Sequence, residues 1–215
     1  MILETATYFI ENQASFGAYP TQDQIELLEK WGVDTIIDLT NSWENKIFPY
    51  YTKKKVIKFP IPDRKIPINI KEFCVLVVTL SEKIDNGEKI FIHCKGGHGR
   101  AGILVAALLC FRNKITPIDA LQLTSEYHSR RINIRLYWKK IGSPQTQEQK
   151  QFISHIFKDH YITDESPFKN PYESYIDSFL IQTNLGHIIG QNGEQLETRR
   201  KHLFLNNFYN DWQVA

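Results

Sequence analysis

Residues 88–112 read EKIFIHCKGGHGRAGILVAALLCFR, and no other stretch constrains the fold as tightly. EKIFIHC is a continuous apolar run of strand length, the pattern of a strand covered on both faces in a parallel sheet. Glycines follow at 96, 97 and 99, and from Arg100 the chain reads as an apolar helix. A strand passed to a helix through so short a loop belongs in a layered α/β domain, where both elements are buried.

The flanking sequence repeats that alternation. QDQIELLEKWG (22–32) carries Ile25, Leu27, Leu28 and Trp31 near helical spacing, with Gly32 as a stop. VDTIIDLT (33–40) predicts a short strand, and KKKVIKFPIPD (53–63) a second one entering a proline-rich loop. INIKEFCVLVVTLSEKID (68–85) predicts a long helix ended by Asn86-Gly87. PIDALQLTSEYHS (117–129), with Pro117 in the first turn, and TQEQKQFISHIFKDH (146–160) predict two more. The expected fold is α/β, a central, mainly parallel twisted sheet flanked by helices, over residues 1–160. Residues 161–215 change character: a turn-rich polar stretch precedes apolar residues such as Phe179, Phe204, Phe208 and Trp212. These offer enough apolar surface to dock, so a helical extension packed on the main domain is expected.

The 215 residues include 42% apolar types, enough for a real core, and 26 Lys and Arg against 24 Asp and Glu. With a formal net charge of +2, no global field draws the chain to nucleic acid or an anionic membrane, and any anion preference must be local. No stable nucleic-acid partner is expected. Cys74, Cys94 and Cys110 form neither a disulfide framework nor a metal-ligand pattern, so no cofactor or metal is expected. A reducing compartment, the cytoplasm with the nucleus open, fits best. The N-terminus does not read as a signal peptide, and no apolar stretch approaches the roughly 20 residues that span a bilayer. Oligomeric state is left open.

The loop itself carries chemistry. Amides freed by Gly96, Gly97 and Gly99 at a helix N-terminus form an anion site, and the same partial positive charge favours a thiolate at Cys94. The planar fork of Arg100 suits two oxygens of a phosphoryl group. Nucleophile and oxyanion cradle therefore coincide. HCKGGHGRAG, residues 93–102, resembles the HCxxGxxR signature of the cysteine-dependent protein tyrosine phosphatase superfamily. The resemblance implies Cys94 as nucleophile, Arg100 as phosphate clamp, and Lys95, Gly96, Gly97, His98, Gly99 and Ala101 lining the phosphate. It also implies an Asp about thirty residues upstream as general acid and then base, and Asp63 in FPIPDRKIP stands there. A QTxxQ segment, matched by Gln145 and Gln149, places the hydrolytic water in such enzymes, although a capped helix start at Thr146 explains the same residues. The opening SFGAYPTQDQIELLEKWGVDTIIDLT resembles dual-specificity phosphatases, so the likeness covers about residues 15–158.

Ala101 departs from the superfamily, which usually has Ser or Thr there to stabilise the departing thiolate. Phosphatases of regenerating liver share the alanine and are slow, so slower phosphoenzyme breakdown is expected. Lys95 and His98 occupy positions that are both lysine in phosphatase-and-tensin-homologue lipid phosphatases, which keeps inositol phosphates and phosphoinositides open as substrates; the reading preferred for the pair is that both point outward as general attractors for any phosphate. The reading preferred is a protein phosphatase for phosphotyrosine, extending to dual specificity. The alternatives are an inositol phosphate, phosphoinositide or RNA 5′-phosphatase with the same chemistry, and a phosphate-binding pseudophosphatase, which would need neither the thiol nor the acid. His93 is read as a support for the loop, Cys110 as core, and Cys74 as core or as a disulfide partner of oxidised Cys94. RRINIRLYWKKIG (130–142) is read either as a rim of the pocket or as a surface loop anchored by Tyr137 and Trp138.

Overall fold

A computed structural model describes residues 3–157. Five strands, β1 (Ala6–Ile10), β2 (Ala14–Gly17), β3 (Thr35–Asp38), β4 (Lys55–Lys58) and β5 (Ile90–His93), form one sheet in the order β1-β2-β5-β3-β4. β1 pairs antiparallel with β2, and the other pairings are parallel, so the sheet is mixed. β5 lies at its centre between β2 and β3. Its four residues are all buried, as the unbroken apolar run predicts.

The helices are α1 (Gln22–Trp31), α2 (Ile70–Asp85), α3 (Arg100–Asn113), α4 (Pro117–Ser129), α5 (Leu136–Ile141) and α6 (Gln147–Ile156). Local chemistry sets their ends. Thr21 and Gln24 close a capping box on α1, and Gly32 ends it in the left-handed region. Asn69 caps α2, Thr116 caps α4 ahead of Pro117, and Thr146 with Gln149 boxes α6. Because neighbouring residues of a strand face opposite ways, β5 serves two cores. Phe91 and Ile36 pack with Ile25 and Leu28 of α1 on one face. Ile90, Ile92 and Ile37 pack on the other with α2, α3 and α6. α3 is buried over eleven successive residues from Arg100 to Cys110, so it is fixed firmly behind the loop it follows.

No element is predicted from sequence before residue 22, and the β1–β2 hairpin lies there. Its strands have five and four residues, with a register shift between Tyr8 and Ile10. The segment 130–142 contains α5, a short helix rather than a plain loop. The extension expected from residue 161 lies outside the described residues. Cys110 lies in the main core and Cys74 in a small cluster with Val78, and none of the three cysteines is in a disulfide. Burial pushes the Cys74 thiol up to about 12.

Candidate active site

Cys94 follows β5 directly and Arg100 opens α3, so the loop 94–99 sits at the C-terminal edge of the parallel strands, where α/β sheets bind ligands. Gly99, the N-cap of α3, makes no side-chain cap, and the first-turn amides remain directed at the loop. Gly97 has φ +69° and lies against β2, where a Cβ would run into the Gly17 carbonyl and the Arg131 guanidinium. The Cys94 side chain is buried, and Lys95 alone in the loop is exposed.

Arg100 is 2% exposed, and its guanidinium is held on several sides. Nη1 and Nη2 both donate to the Glu44 carboxylate, the Nη2 contact at 3.0 Å. Nη1 also donates to the carbonyls of Ile61 at 3.1 Å and Leu39 at 3.4 Å. Asp63 reaches Nη2 at 3.0 Å while its side chain remains 60% exposed. Burial alone would lower the Arg100 pKa, but Glu44, Cys94 and Asp63 raise it above its ordinary value, so the group is always cationic. Burial also pushes Glu44 up, and hydrogen bonds from Arg100 and Asn41 more than offset this, leaving it below the usual carboxylate range. Asn41 donates from Nδ2 to the Ile61 carbonyl at 2.8 Å, tying the loops after β3 and β4 together beneath Arg100.

The glutamines of the QTxxQ segment lie over Gly99, where a Cβ would meet Gln149 Oε1 at 2.8 Å and Gln145 Oε1 at 3.1 Å. Their surroundings differ. Gln149 is fully buried; its Oε1 accepts from the Gln145 and Thr146 amides and its Nε2 donates to the Lys65 carbonyl at 3.1 Å. It thereby joins α6 to the segment carrying Asp63, as does the Lys65–Glu148 ion pair at 3.3 Å. The Gln145 carboxamide has no such engagement among the described residues.

His93 faces the α1 side, with Nε2 2.8 Å from the Tyr50 hydroxyl and Nδ1 3.8 Å from Asp38. Burial pushes its pKa down to about 4 against the pull of Asp38, so the ring is neutral near pH 7. His98 turns into the fold: Nδ1 is 2.7 Å from His128 Nε2, and the ring stacks on Trp138 at 4.4 Å. Burial, with Arg131 nearby, pushes His98 down to about 4 and His128 to about 3. Ala101 is fully buried in the first turn of α3.

Sequence reasoning missed Glu44, Asn41, Arg131 and His128. Arg131, 4% exposed, donates to the Gly97 carbonyl at 2.6 Å and sits 4.8 Å over the Phe16 ring. Burial pushes it down to about 10 while Cys94 opposes the shift. The basic, acid-free composition of residues 130–140 is a signal for Arg131 in the sequence. Nothing in NSWEN marks Glu44, because its partner is 56 positions away.

The family model described as PTP-SAK, the DSP-PTPase phosphatase domain of Swiss Army Knife proteins, matches residues 15–153. Protein 197R of Invertebrate iridescent virus 6, named as a tyrosine phosphatase, is 37% identical over 170 residues, covering 77% of this chain and 58% of that protein. Protein 067L of Invertebrate iridescent virus 3, similarly named, is 33% identical over 160 residues, covering 72% of this chain and 66% of that one. The chain thus spans less than two thirds of the length of either viral relative. Its fold is similar to the crystal structure of Tk-PTP in the active form, with TM-score 0.56 and 23% identity over 70% of this chain and 95% of that one.

Proposed function

The chain belongs to the DSP-PTPase family of Swiss Army Knife phosphatase domains, and on that premise we propose that it hydrolyses phosphate monoesters of proteins, phosphotyrosine first, through a cysteinyl-phosphate. The observation that carries this reading is the pairing, at 3.0 Å, of a guanidinium from the start of α3 with a carboxylate from the loop after β4, near enough to the thiol after β5 for its charge to be felt at Arg100.

In the first step the Cys94 thiolate attacks phosphorus; the S–P bond forms, the P–O bond to the substrate breaks, and Asp63 gives its proton to the leaving oxygen. The loop amides and Arg100 hold the equatorial oxygens as charge develops. Since Nη2 of Arg100 is shared between Glu44 and Asp63, an arriving phosphoryl group takes the place of Asp63, which swings to the leaving oxygen. In the second step Asp63 removes a proton from water held by Gln145, the water oxygen attacks phosphorus and forms a P–O bond as the S–P bond breaks, and inorganic phosphate and the thiolate are released. Glu44 keeps the guanidinium fork oriented throughout.

Protein substrates are favoured by the names of the viral relatives and by the charge of the loop. His98, stacked and neutral, leaves Lys95 and Arg100 as its two cations, less than an inositol polyphosphate calls for. Turnover of a generic aryl phosphate by wild type, Cys94→Ser and Asp63→Ala, followed by phosphopeptides and inositol phosphates, tests the proposal. Loss of turnover in Cys94→Ser and a large fall in Asp63→Ala are expected; an unchanged rate in Cys94→Ser refutes the reading.

A further inference from the structure

Ten large apolar side chains are exposed among the described residues, and six of them, Trp43, Phe48, Ile68, Ile132, Leu136 and Tyr137, belong to segments that hold the phosphate loop. These six are 66–84% exposed. Trp43 and Phe48 flank exposed Lys46 in the loop whose Glu44 grips Arg100. Ile68 follows exposed Arg64 in the loop whose Asp63 reaches the same guanidinium. On the opposite side of β5, Ile132, Leu136 and Tyr137 stand among exposed Arg135, Lys139 and Lys140, in the segment fixed to the loop through Arg131 and Trp138. All three segments lie at the C-terminal edge of the parallel strands, so the mouth of the site is bordered on both flanks by apolar and cationic side chains.

Acidic side chains within these three segments are few and paired with cations, while exposed Glu4 lies beside Asn133. Residues 127–147 contain five Arg and Lys and no Asp or Glu. Glu44 and Asp63 are paired with Arg100, and Glu148 with Lys65. Large apolar side chains interleaved with cations are the composition of a surface that enters the headgroup region of an anionic bilayer.

We propose that this border is a docking surface for an anionic lipid bilayer, seating the phosphatase site against the membrane plane. The net charge of +2 does not predict this; the local arrangement does. Vesicle binding needs no catalysis, so the proposal stands or falls apart from the assigned reaction.

The test is sedimentation of the full chain with phosphatidylcholine vesicles made with and without phosphatidylserine, at low and high salt. Wild type should partition onto the anionic vesicles at low salt and not onto the neutral ones. Leu136→Glu and Trp43→Glu should each weaken partition by about tenfold or more, the worth of one buried large apolar side chain. Arg135→Gln should weaken it about fivefold. None of the three should change aryl phosphate turnover, which also reports that they fold. Wild type that ignores anionic vesicles at low salt, or border variants that bind as wild type does, would overturn the proposal. Border variants that keep vesicle binding but raise KM for a phosphopeptide would assign the surface to peptides and overturn it as well.

Discussion

The two glutamines over Gly99 show how much a single side chain's partners decide. Gln149 is fully buried with its amide committed to the α6 cap and to Lys65, whereas Gln145 is half-buried with its carboxamide available. Gln145→Ala is therefore expected to slow phosphoenzyme hydrolysis with the burst of leaving group intact. Gln149→Ala should instead lower thermal stability, by about 1–3 kcal/mol for each buried partner left unsatisfied. Burst kinetics and melting curves of the two variants separate the roles; a slowed second step in Gln149→Ala alone would reverse the assignment. Ala101 bears on the same step. Ala101→Ser should raise the steady-state rate without raising the burst rate, and a well-folded variant with both rates unchanged would remove the hydroxyl's absence as the cause of slow turnover.

At the scale of elements, the loop between β5 and α3 is shaped as much from outside as from within. Gly97 can lie against β2 because it carries no Cβ to meet the Gly17 carbonyl, and Arg131 fastens the Gly97 carbonyl from beyond α4. Arg131→Met keeps much of the bulk and loses the donors, so the Gly96 and Gly97 carbonyls lose their charged partner. A loss of about 1.5–3 kcal/mol in urea unfolding is expected, with a fall in kcat/KM for aryl phosphate; wild-type values in both would show that the loop holds its shape unaided. The strand, loop and helix of residues 90–113 were legible in the sequence because apolar continuity and glycine spacing are local signals. β1 and β2 were not, because strands this short are defined by the partner they pair with. Glu44 and Arg131 escaped for the same reason, as their meaning lies in contacts 56 and 34 positions away.

For the molecule as a whole, two buried histidines and a half-buried one surround the site: His93 and the half-buried His98 are pushed down to about 4 and His128 to about 3. Between about pH 6.5 and 4 the unfolded chain binds protons that the folded chain refuses, so stability is full above that window and falls as pH drops through it. Glu44, held below the carboxylate range, adds its loss only at lower pH. Melting temperature should thus decline from pH 7 to pH 5, and His128→Gln, if it folds, should show a shallower decline; a flat profile would contradict the burial of these rings. The reaction assigned to the site rests on one covalent species. Rapid acid quench of the enzyme turning over an aryl phosphate, followed by mass spectrometry of the peptide containing Cys94, tests it most directly. The account predicts one phosphoryl group on Cys94 in wild type and none in Cys94→Ser; turnover with no adduct on that peptide, or an adduct that survives Cys94→Ser, would contradict it.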